Sequence, residues 1–62
     1  MVINTMKLSD FNVGDSVFVE AKPRDIFTDF LGTVKEVNAE YVIVEDQDGD
    51  GWSCDPDQIQ FA

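Results

Sequence analysis

The residues best equipped for chemistry fall in one string, Asp46-Gln47-Asp48-Gly49-Asp50-Gly51-Trp52-Ser53-Cys54-Asp55-Pro56-Asp57. Counted from Asp46, carboxylates stand at positions one, three, five and twelve, with Gly51 at position six. A calcium ion takes about six to eight oxygen ligands, and acids at alternate positions followed by a glycine let a chain wrap around it. Asp46, Asp48, Asp50 and Asp57 would ligate through their side chains and Trp52 through its carbonyl. The same residues have a plainer use. Asp48-Gly49 and Asp50-Gly51 can each supply the positive φ of a hairpin turn, and the surrounding carboxylates keep its tip solvated.

The string resembles the calcium loop of EF-hand and dockerin proteins. That resemblance implies a weak calcium site in a structural domain; no other cofactor is expected. A second set of candidates is aromatic: Phe18, Phe27, Phe30, Tyr41 and Trp52. Such rings can form a cage for a methylated or free ammonium group, which nearby acids would favour. They can equally fill the core of a chain this short, although the polar tips of Tyr41 and Trp52 suit a surface groove. Lys22, Pro23, Arg24 and Asp25 make the one basic spot, readable as a partner contact or as a solvated loop with a local ion pair. Cys54 is the sole cysteine. Without a neighbouring base or cation it is expected to be a structural thiol. The chain has no His, and a domain of this size has few walls for a substrate cleft, so no enzymatic activity is expected.

Positioning these groups falls to short β-prone runs separated by turn residues, since no stretch sustains helical apolar spacing. Leu8, Phe11 and Val13 are expected to cover the core edge before a Gly14-Asp15 turn. The first strand is placed at Ser16 to Glu20, with Val17 and Val19 on one face and Phe18 on the other. Pro23 makes residues 21–26 a loop. The second strand is placed at Phe27 to Val37, with Gly32 at a bend or bulge, Phe30 and Val34 on one face, and Val37 breaking the alternation. Asn38 to Glu40 turns into Tyr41-Val42-Ile43-Val44-Glu45, the most β-prone run. Asp46 to Asp50 forms the next turn and Trp52 to Cys54 the fourth strand. Asp55-Pro56-Asp57-Gln58 is expected to form a single helical turn, with Asp55 as its cap, before a fifth strand at Ile59 to Phe61.

This order is carried by Val13-Gly14-Asp15-Ser16-Val17-Phe18-Val19, Phe30-Leu31-Gly32-Thr33-Val34, Val42-Ile43-Val44-Glu45-Asp46 and Asp57-Gln58-Ile59. It resembles an SH3-like small β-barrel of Tudor or KOW type over roughly residues 11–61. The fold expected is thus an all-β, five-stranded SH3-like barrel with one helical turn before the last strand. It would form a single domain over residues 1–62, with 1–10 as a partly flexible lead-in. The resemblance implies an architecture and no particular ligand, because SH3-like barrels host many unrelated functions.

Charge narrows the partners. The 62 residues carry 13 acids against 4 bases, a net −9. All four bases lie within residues 1–35, while residues 36–62 hold eight acids. Such a field repels nucleic acid and anionic membranes and attracts basic surfaces. Direct nucleic-acid or membrane binding is therefore not expected. The function expected is a small acidic interaction module that binds a basic protein surface through Asp46, Asp48, Asp50, Asp55 and Asp57, with Tyr41 and Trp52. The alternative is the calcium-binding structural domain. An exposed edge strand could also pair two copies as a homodimer. A lone cysteine and the absence of a signal-like start point to a reducing, cytoplasmic setting.

Overall fold

The computed structural model describes residues 8–62. Five antiparallel strands form one sheet in the order β4-β3-β2-β1-β5. They are β1 (Ser16–Val19), β2 (Phe30–Val37), β3 (Val42–Glu45), β4 (Gly51–Cys54) and β5 (Ile59–Phe61). Two short 3-10 turns, Leu8–Asp10 and Pro56–Gln58, are the remaining regular elements among the described residues. The all-β class, the five strands and the helical turn before the last strand are as the sequence predicts. Closure is not: the sheet's ladders end at β4 and β5, so it is an open sheet and not a closed barrel. The lead-in expected over residues 1–10 is described only from Leu8; the rest of it lies outside the described residues.

Period-two alternation explains the core. Val17 and Val19 of β1, Val34 of β2, Val42 and Val44 of β3, Cys54 of β4 and Ile59 of β5 are all buried, and Phe11 joins them. β-Branched side chains suit this pleated surface, because their χ1 freedom is already restricted. Phe18 points away from its two valine neighbours and is half-buried. Val13, expected at the core edge, is instead 69% exposed. Leu8 does pack against the core from outside.

The second strand departs from expectation in two ways. It begins at Phe30, not Phe27. Asp29 accepts the Ala21 backbone N–H at 2.8 Å, which closes residues 21–29 into a loop before pairing starts. The irregularity also lies elsewhere than at Gly32, which pairs in register with Val17. The ladder with β3 shifts between Val34 and Glu36, leaving Lys35 as the extra residue. That bulge returns Val37 to the core side, where it packs against the buried cluster, and so accounts for the broken alternation. Gly32 serves close packing: a Cβ there would meet the Glu45 carbonyl oxygen and sit 2.8 Å from Val44 Cγ1.

Side chains fix the turns. Asn38 Oδ1 accepts the backbone N–H groups of Glu40 at 3.0 Å and Tyr41 at 2.9 Å, and Tyr41 stays outside β3. Of the two Asp-Gly pairs, only Asp48-Gly49 supplies a positive φ, +89° at Gly49. Among the described residues no helix is long and apolar enough to cross a membrane.

Candidate aromatic and acidic groove

The long β1–β2 connection and the β3–β4 turn face each other across an open groove of about 660 Å³. Phe18, Ile26, Phe27, Phe30, Leu31 and Trp52 supply its apolar lining, and Asp29, Asp46, Asp48 and Asp50 its carboxylates. Each bank is built locally. On the turn side, Asp46 Oδ1 accepts the backbone N–H groups of Asp48 at 2.9 Å and Asp50 at 3.0 Å. Its Oδ2 accepts the Trp52 indole N–H at 2.8 Å. These bonds hold the Asp46 carboxyl below its ordinary pKa, the indole bond first, with the turn amides of Asp50, Asp48 and Gly49 adding to it against the opposing effect of desolvation.

The opposite bank is tied to the 3-10 turn before β5. Gln58 is buried, and its Nε2 donates to the Glu20 carbonyl at 2.9 Å and to Asp25 Oδ2 at 3.0 Å. Its Oε1 accepts the Asp55 backbone N–H at 2.8 Å, closing the cap of the turn. Asp25 also accepts the Lys22 backbone N–H at 2.7 Å. That amide and then Gln58 lower the Asp25 pKa, against the opposing effect of desolvation. The Lys22 ammonium reaches Asp55 at 2.8 Å and Asp57 at 3.1 Å. Hydrogen bonds to these two carboxylates raise its pKa, Asp55 first.

The rings meet in sequence. Trp52 and Phe27 centroids are 5.3 Å apart at 50°, and Phe27 and Phe30 are 5.4 Å apart in an edge-to-face arrangement at 86°. Phe27, Phe30 and Trp52 remain only partly buried while packing on the core. Of the five rings considered for a cage, Phe18, Phe27, Phe30 and Trp52 therefore share the groove. Tyr41 does not line it; it precedes β3, whereas the groove lies beyond the other end of that strand.

The acids expected to act together are divided. Asp46, Asp48 and Asp50 border the groove with Trp52, whereas Asp55 and Asp57 hold Lys22. For the calcium reading, this separates the twelfth-position Asp57 from the aspartates of the turn by giving it an ammonium partner. Asp46 already uses both oxygens on N–H donors. Trp52 lies in β4, with its carbonyl 3.5 Å from Cys54 Sγ. Among the described residues no three His, Cys, Asp or Glu side chains stand where they could hold a metal ion. The basic spot is likewise not a free patch at Lys22, whose charge is spent on Asp55 and Asp57. Cys54 is buried. Burial first, then Asp25 and Asp55, push its thiol pKa up to about 12, the condition of an inert structural cysteine.

Four contributors escaped the sequence: Asp29, Ile26, Leu31 and Gln58. Asp-x-x-Gln is a capping signature that could have flagged Gln58 locally. Nothing local signals its reach to Glu20, 38 residues away.

The chain matches no family model, no curated protein and no solved structure.

Proposed function

We propose that this domain is a small acidic interaction module that binds a basic surface on another protein. The carrying observation is a pair of carboxylates, Asp48 and Asp50, beside a half-exposed aromatic groove. Neither carboxylate has a bonding partner among the described residues. Such groups are available to a partner at little desolvation cost to internal bonds, and they steer a cationic surface toward the groove. The strand order, the long β1–β2 connection and the 3-10 turn before β5 support reading the domain as an open member of the SH3-like group.

Converting Asp48 and Asp50 together to Asn is expected to weaken capture of the partner and to flatten its dependence on salt. Binding strength and salt slope unchanged in the variant would contradict the proposal.

A further inference from the structure

We infer that the groove is an arginine receptor: it takes one unmethylated guanidinium from the basic partner, stacked on the Trp52–Phe27 ring pair and bonded at the rim to Asp48 and Asp50. This inference rests on the proposed function and specifies its point of contact.

Three features select this occupant. The groove mixes apolar and polar lining, and Ile26, 89% exposed, and Leu31, 50% exposed, give the aliphatic stem of a long side chain a surface to cover. Its rings are held in place. The indole is tied through its N–H to Asp46, and Phe27 packs on it at 5.3 Å. A ring face fixed in this way attracts a cation laid over it. At the rim, the carboxylates of Asp48 and Asp50 carry no internal donor among the described residues.

A quaternary ammonium would stack on the rings and leave those acceptors unanswered. Lysine offers three donors on a compact, strongly hydrated charge. Arginine offers five donors in a plane that can stack on a ring and bond carboxylates in the same pose.

The test is an amide and indole NMR titration of the whole protein with four short acetylated peptides, identical except for a central Arg, citrulline, Lys or trimethyl-Lys. The single Trp52 indole N–H is the reporter. The Arg peptide is expected to shift it saturably and to bind at least about two- to fivefold more tightly than the Lys and trimethyl-Lys peptides. The citrulline peptide should leave it unmoved. Phe27→Leu keeps apolar volume but removes a ring, and should weaken Arg binding by a similar factor. Glu40→Gln, remote from the groove, should not.

Equal shifts from Arg and citrulline would overturn the inference. So would equal affinity for Arg and Lys together with an unaffected Phe27→Leu variant. In that second case the acidic face would still bind basic partners as diffuse charge, and the proposed function would stand without the groove. If no cationic peptide bound at all, both would fall.

Discussion

Asp46 organises more of the candidate site than any other residue, because one carboxylate holds two turn amides and the Trp52 indole. Its pKa, like that of Asp25, is lowered from 3.8 in the folded state. Each therefore contributes stability that is complete above that value and is lost as pH falls through the lower folded one. Acid titration is expected to shift the Trp52 indole signal together with the Asp48 and Asp50 amides. If the indole signal moved independently of those amides, Asp46 would not be the shared acceptor.

Glycine effects separate cleanly at this scale. Gly49→Ala meets no atom within 4 Å but must adopt φ +89°, so it should cost about 1–2 kcal/mol in urea unfolding. Gly32→Ala has an ordinary backbone but no room, and should cost about 3 kcal/mol as β3 is forced away. The reverse order of costs would contradict these assignments. The need for a turn glycine was legible in Asp48-Gly49. The close approach at Gly32 was not, because it depends on which strand lies opposite. Sequence spacing also suggested a calcium loop, and spacing cannot reveal that Asp46 bonds its own turn and that Asp57 faces Lys22.

At the scale of elements, the β1–β2 connection is held in place by the 3-10 turn before β5. Gln58 is the latch, with bonds to Glu20, Asp25 and Asp55. Gln58→Ala removes the partner of the Glu20 carbonyl and of the Asp55 N–H and leaves Asp25 with the Lys22 amide alone, and is expected to cost about 1–3 kcal/mol. Gln58→Leu, which restores volume but not donors, should not recover the loss. Amide exchange at Asp25, whose N–H bonds the Lys22 carbonyl at 2.9 Å, should accelerate in both variants. Protection unchanged at Asp25 would mean that the loop holds its shape without the turn. Strands with clear alternation, β1 and β3, were located to within a residue from sequence. The start of β2 was misplaced by three residues, because Phe27 and Thr28 are β-prone in themselves, whereas Asp29's bond to Ala21 and the packing of Phe27 on Trp52 belong to the loop.

For the whole molecule, a net charge of −9 acts on stability and binding in opposite directions as salt is added. Screening relieves self-repulsion in the folded chain, so melting temperature should rise between about 20 mM and about 300 mM salt. The same screening weakens attraction to a basic partner. A melting temperature that fell with salt would show that the internal pairs of Lys22 outweigh the repulsion. The excess charge of the C-terminal half was legible from the first count of residues. Its division into a free set at the groove and a set neutralised by Lys22 was not, since it depends on the loop folding back across the sheet.

The central claim is that the location of the acids, not their number, makes the binding face. Two double variants of equal charge decide it, one with Asp48 and Asp50 changed to Asn and the other with Glu36 and Glu40 changed to Gln. Each removes two carboxylates and so takes the net charge from −9 to −7. Affinity for a partner captured by the unaltered protein would be measured for both at about 50 mM and about 300 mM salt. The account predicts that the aspartate variant loses binding and the glutamate variant retains it. Equal loss in both, or in neither, would contradict it.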